Sequence, residues 1–219
     1  MCAYEKLQFL CGRQGYEAGS SMKHFTKFAV VAASLAFTAS AQAASYKFDP
    51  THTEVRFYYN HAGLSEQSGE WKVVSGDVEF DPEKIEETKV SVVIDPASID
   101  TGVEALDEHM KNSDFFDVEK YPEITFVSTS VKQTSATGVT LVGDLTIKDQ
   151  KHPVELDFKL NHNGPHPLGS YFDYYQGQWI GVEGKGEILR SDFGVGMFAP
   201  LTSDRVRLEI SAEMREGGW

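Results

Sequence analysis

The sequence has little cysteine and little positive charge, and it contains no long uninterrupted apolar run. Of 219 residues only Cys2 and Cys11 are cysteines. Everything after Cys11 therefore lacks disulfide staples and thiol nucleophiles. Lys and Arg number 20 against 33 Asp and Glu, a formal net charge of −13. That balance argues against a nucleic acid or an anionic membrane surface held by charge. The longest apolar run, Phe28 to Phe37, is broken by Ser34 and falls far short of the ~20 residues a permanent membrane-spanning helix needs. There is no glycine-rich phosphate loop: Gly181, Gly184 and Gly186 sit inside a strand pattern rather than before a helix. No G-x-S-x-G nucleophile elbow occurs either.

What is present begins with a leader. Met22, Lys23, His24 and Lys27 make a positive start, the Phe28–Phe37 run follows, and Ala41-Gln42-Ala43 closes it as an A-x-A cleavage signal. This is the layout of a secretory signal peptide over residues 22–43, with cleavage expected after Ala43. Residues 1–21 then read as an upstream extension, with Met22 rather than Met1 as the initiator. Both cysteines belong to the part expected to be lost, so the mature chain, residues 44–219, is cysteine-free. Its formal charge is −15, because the first 43 residues carry four Lys and Arg against two Asp and Glu. The expected location is the periplasm, with no permanent membrane span. With 41% hydrophobic residues, the chain has enough apolar material for a single core without covalent help.

From Tyr46 onward the hydrophobic period is mostly two. It predicts eight strands, Thr53–Asn60, Ser68–Phe80, Thr88–Asp95, Glu123–Lys132, Gly138–Lys148, Pro153–Asn161, Gln178–Leu189 and Asp204–Met214. Gly76 is expected to be a bulge inside the second. Alternation means one dry face and one wet face. Eight strands joined mainly by short turns hide their edges by closing. The expected fold class is all-β, an eight-stranded antiparallel barrel. A sandwich satisfies the same alternation, but strand glycines such as Gly143 and Gly184 fit barrel bends better. One segment departs from this pattern. Thr101 and Glu104 have capping-box spacing, and Val103, Leu106 and Met110 recur at helical spacing. These predict one short helix over about residues 101–112, on the sheet or over a barrel mouth, with Asp107 paired to Lys111. Phe115 and Phe116 after it are expected to enter the core.

Candidate chemistry is sparse. The mature histidines, His52, His61, His109, His152, His162 and His166, show no H-x-H or H-x-x-x-H spacing. Asp107, Glu108 and His109 with His61 are a conceivable metal cluster, but the spacing gives it little support, and no metal or cofactor is expected. The excess lies instead in aromatic and apolar residues. A barrel lined with them can desolvate a lipid tail at about 0.8 kcal/mol per methylene. The same residues can equally well fill the barrel, and the residue pattern alone leaves both open.

Several ordered motifs carry a resemblance. Ser98-Ile99-Asp100-Thr101-Gly102, Asp107-x-His109-Met110, Ser113-Asp114-Phe115-Phe116-Asp117 and Tyr121-Pro122-Glu123-Ile124-x-Phe126-x-Ser128 form the central block. Gly76 to Pro82, Gly143-x-Leu145-Thr146-Ile147 and Arg190-Ser191-Asp192-Phe193-Gly194 flank it. Together, from Tyr46 to about Met214, they resemble the YceI-like family of periplasmic polyisoprenoid-binding proteins. The resemblance implies a lipocalin-like barrel with a helix across it and an apolar tunnel for a long isoprenoid, such as a quinone or prenyl chain, or a fatty-acid-like amphiphile. It implies a non-catalytic carrier. The alternatives are an enzyme acting on a lipid-like amide or quinone, and a stress-related protein with a filled barrel. Phe57, Val92, Ile94, Phe115, Phe116 and Phe126 are the expected wall of the lipid pocket. Asp107 and His109 either contact a polar head at the mouth or tie the helix to the barrel. Arg190 and Asp192 are expected to pair, with Gly194 at the turn. The aromatic segment Tyr171–Tyr175 is longer than the family pattern and is expected to alter the mouth. The partner is a lipid and not a nucleic acid, and the acidic surface neither requires nor forbids a homodimer.

Overall fold

The structure, a computed structural model, describes residues 43–219. The leader, the initiator and the upstream extension thus lie outside the described residues, apart from Ala43. The strands are β1 (Ala44–His61), β2 (Ser65–Trp71), β3 (Val74–Phe80), β4 (Lys89–Ile94) and β5 (Ile99–Asp100). After the helix α1 (Glu104–Lys111) come β6 (Ile124–Gln133), β7 (Gly138–Ile147), β8 (Gln150–Pro165), β9 (Gln178–Leu189) and β10 (Arg205–Glu216). Every neighbouring pair is antiparallel, and β10 pairs with β1, so the sheet closes on itself. The barrel has eight staves because β2 and β3 together make one, and the two-residue β5 only extends β2. The single second strand expected from the period is therefore two strands, interrupted at Lys72 and Val73.

The kink in β1 explains that division. Residues 44–47 pair with β3 and residues 55–61 with β2, while the other flank of β1 pairs with β10 from Tyr46 to Tyr58, with a register shift between Phe48 and Thr53. Pro50 lies within the shift and has no N–H to offer a ladder. The strand consequently begins nine residues before the expected Thr53, on the far side of a break in the period. Asp49, fully buried, holds the break together. Its carboxylate accepts from Thr51 N (2.8 Å), Thr51 Oγ1 (2.7 Å) and Tyr174 Oη (2.8 Å), and it lies 2.9 Å from His52 Nδ1.

Inside, the alternating sets converge. Val55 and Phe57 of β1, Val154 and Leu156 of β8, and Val206 and Leu208 of β10 are all buried. Their outward neighbours Arg56, Glu155 and Arg207 are more exposed. Some inward positions are glycine. A Cβ on Gly143 would stand 2.3 Å from the Phe126 ring, and one on Gly184 would stand 2.3 Å from the Phe158 ring. Each glycine is small so that an aromatic ring of the adjacent strand can lie flat over it. Gly76 is constrained differently. Its φ is +151°, and a Cβ there would come within 2.0 Å of the Ser91 carbonyl oxygen. Gly76→Ala is expected to lower stability by about 3 kcal/mol, from backbone strain plus a clash with backbone that cannot rotate away. Urea denaturation of the two proteins checks this.

Two details of the helix differ from expectation. Thr101 and Glu104 form no reciprocal box, since the residue before the helix, Val103, makes no side-chain cap. Asp107 reaches back instead and accepts from Thr101 N (2.8 Å) and Oγ1 (2.6 Å). It is thereby unavailable to Lys111, which pairs with Glu108 at 3.0 Å.

Candidate ligand-binding site

The barrel interior holds two chambers stacked along its axis. On β1 and β10, Phe57 and Val206 line one, and Val55 and Leu208, two residues along on the same inward face, line the other. The first, the helix-side chamber, has a volume of about 250 Å³ and is bounded by Leu106, His109 and Met110 of α1, by Phe115 and Phe116, and by Phe198. The second has a volume of about 180 Å³ and is walled almost wholly by apolar side chains of the barrel. Neither alone reaches the ~300–1,000 Å³ of ordinary small-molecule pockets.

The structure distributes the sequence-derived wall residues between the chambers. Phe57, Phe115 and Phe116 line the helix-side chamber, and Val92, Ile94 and Phe126 line the apolar one. Phe57 stands at the junction with its ring 4.9 Å from that of Trp71. His109 lines the helix-side chamber, packed edge-on against Phe115 at 5.2 Å and lying 3.4 Å from Asp114. Asp107 lines neither chamber, because its carboxylate is turned to Thr101 and ties the helix to the segment after β5.

Arg190 is the main polar group missed in its true role. It does not pair with Asp192. All five N–H donors of its guanidinium go to oxygens of the segment 195–203: Nε to Ser203 O (2.9 Å), Nη1 to Val195 O (3.0 Å) and Met197 O (3.3 Å), and Nη2 to Thr202 O (3.0 Å) and Thr202 Oγ1 (3.0 Å). Asp204 instead accepts from Ser191, and Gly194 takes the left-handed turn with φ +66°. Burial lowers the Arg190 pKa, with the Asp204 and Tyr59 charges opposing, and the group stays a cation. Burial likewise raises the Tyr59 phenol in the same chamber. Its motif does not reveal this role, since its partners are backbone carbonyls and the Thr202 hydroxyl, five to thirteen residues away.

The segment Tyr171–Tyr175 does not shape the mouth. None of its residues lines either chamber. It folds onto the outer face of the barrel, where His166, Tyr174, Tyr175 and Trp219 cover Trp179, one of the most buried side chains. Tyr174 reaches Asp49 from there.

Among the described residues, one group of three ligand-type side chains lies close enough to share an ion: Asp49, His52 and Glu213. It is not the grouping the sequence suggested, and Asp49 is already engaged by Thr51, His52 and Tyr174. Burial alone would raise the Asp49 pKa. The hydrogen bonds from Thr51, with those of His52 and Tyr174, outweigh that and hold it below the usual value. A carboxyl whose folded pKa lies below its unfolded one stabilises the fold above the unfolded pKa. That contribution is lost as pH falls through the folded pKa. Asp49→Asn is therefore expected to cost about 2–4 kcal/mol near neutral pH, by setting an amide N–H₂ against donors. It should also flatten the acid limb of stability against pH, which thermal melts from neutral to acid pH will measure.

Comparison with known proteins agrees with this architecture. Residues 46–214 match the model of the YceI-like domain. Protein YceI of Escherichia coli O17:K52:H18 is 38% identical over 184 residues, covering 83% of this chain and 92% of that protein. The crystal structure of Burkholderia cenocepacia BcnA superposes with a TM-score of 0.66 at 25% identity, covering 76% of this chain and 98% of BcnA. A polyisoprenoid binding domain from Saccharophagus degradans shares the fold, with a TM-score of 0.57 at 15% identity, covering 79% of this chain and 99% of that domain. With a closed eight-stave barrel, one helix across its mouth and a domain match over nearly all the described residues, the chain belongs to the YceI-like family.

Proposed function

We propose that this protein is a non-catalytic carrier that holds one long amphiphilic lipid, an isoprenoid quinone, a prenyl chain or a fatty-acid-like molecule, along the barrel axis. The observation that carries the reading is the apolar chamber of about 180 Å³ inside the barrel, next to the helix-side chamber of about 250 Å³. A lipid tail placed there gains about 0.8 kcal/mol for each methylene it buries. The fold of the Saccharophagus polyisoprenoid binding domain supports the same assignment. Export to the periplasm completes the proposal: β1 starts at Ala44, directly after the expected cleavage point, and no helix among the described residues is long and apolar enough to cross a membrane.

Native mass spectrometry of the protein, expressed from the full chain and purified without detergent, tests this. The expected result is a one-to-one adduct that solvent extraction identifies as an amphiphilic lipid. A bare mass that stays bare after incubation with isoprenoid quinones and with fatty acids would overturn the reading.

A further inference from the structure

The seam that closes the barrel carries a group of residues that the lipid reading does not use. Across the register shift between β1 and β10, Phe48 pairs with Met214 and Thr53 pairs with Ala212. Glu213 therefore stands alone opposite residues 49–52. Asp49 and His52, on the bulged side, meet it there, and the ligand atoms of all three lie within 4.8 Å of one another. None of the three lines either chamber. Zinc bonds to nitrogen and oxygen of about 2.0–2.2 Å set the ligand atoms of a tetrahedron about 3.2–3.6 Å apart. Asp49 Oδ2 and His52 Nδ1 are 2.9 Å apart, so that edge needs only a slight opening. The Glu213 side chain, 40% exposed, has the freedom to complete the approach.

The engagement of Asp49 is one-sided. Thr51 N, Thr51 Oγ1 and Tyr174 Oη all donate to Oδ1, whereas Oδ2 faces His52 Nδ1. Three donors on one oxygen fix the carboxylate, as the supporting shell of a metal ligand does, and turn its other oxygen to the histidine. Two carboxylates match the charge of a divalent cation, which offsets the cost of holding the buried one ionised. An imidazole nitrogen beside them favours zinc over magnesium or calcium, which prefer shells of oxygen alone. His166 is near, with Nε2 3.6 Å from Glu213, but it is not a ligand. Leu168 N donates to its Nδ1 (3.1 Å), so the neutral ring carries its proton on Nε2. We propose that Asp49 Oδ2, His52 Nδ1 and a carboxylate oxygen of Glu213 bind a zinc ion, with water at the open position. The ion clamps β1 to β10 where their ladder is interrupted. The His52 ring stays neutral on binding, its proton carried on Nε2 rather than Nδ1. This site stands independently of the lipid in the barrel.

The test is isothermal titration of metal-stripped protein, expressed from the full chain, with zinc chloride and with magnesium chloride. The expected result is a single zinc site, at least about ten-fold tighter for zinc than for magnesium. His52→Ala and Glu213→Gln should each weaken zinc by more than about ten-fold, since even supporting residues of a metal site cost about that much. Glu213→Gln keeps the size of a half-exposed side chain, so it separates lost binding from lost folding. Zinc should raise the melting temperature of the wild type and not that of Glu213→Gln. In ¹⁵N spectra of the imidazoles, the signal that His52→Ala removes should move with zinc. Absence of zinc binding would overturn the proposal, as would zinc held equally tightly by both variants, which would place the ion on other histidines. Magnesium bound as tightly as zinc, with His52→Ala unaffected, would remove the histidine from the site and overturn it as well.

Discussion

Replacing Val92 with tryptophan is expected to abolish lipid retention while leaving the protein folded. Val92 lies in the middle of β4, opposite Gly76 on one side and Phe126 on the other, and faces the apolar chamber. An indole there occupies space that the proposed tail needs. Overpacking a full core costs about 1–3 kcal/mol, but filling an existing void returns part of that, so the melting temperature should stay within a few degrees of wild type. Ile94→Trp, on the same face of the same strand, is the companion variant. The measurement is the fraction of protein carrying the native adduct. A Val92→Trp protein that still carries a full complement of lipid would move the site out of the apolar chamber.

The second large effect is structural. Arg190→Met keeps an apolar stem but removes all five hydrogen bonds to Val195, Met197, Thr202 and Ser203. Hydrogen bonds to a charged group are worth about 1.5–3 kcal/mol each. They are not additive here, and water will reach some of the released carbonyls. The expected loss is roughly 3–5 kcal/mol, a fall in melting temperature of order ten degrees. The damage should be local. Segment 195–203 supplies Val195, Phe198 and Thr202 to the helix-side chamber, so amide exchange there should rise first and lipid dissociation should quicken. Arg190→Lys keeps the charge but offers three donors without the planar fork. It should recover only part of the loss. Full recovery by lysine would mean that charge, rather than the five-fold hydrogen bonding, holds the segment.

Much of this molecule was legible residue by residue. Strict alternation in Val154, Leu156, Phe158 and Leu160, or in Val206, Leu208 and Ile210, requires a strand with one dry face, and eight such segments require closure or a partner sheet. The helix could be read from Val103, Leu106 and Met110, although it is shorter than expected, Glu104–Lys111. The misreadings share a cause. The Asp107 to Thr101 bond, the Arg190 cluster, the Asp49 kink and the outward docking of Tyr174 all depend on polar groups that find partners outside the periodic pattern. Three of these four lie at breaks or turns, where local spacing says which residues are near in sequence but not which atoms meet.

The sequence by itself determined the class of fold, its family, the helix, the apolar character of the interior and the absence of cysteine from everything after Cys11, because each follows from residue type and short-range order. Only the tertiary structure decided which alternate set of each strand faces inward, that Gly143 and Gly184 make room for Phe126 and Phe158, and that unfilled space remains as two chambers. A cavity is what is left when side chains from strands far apart in sequence fail to meet, and no local pattern records that difference.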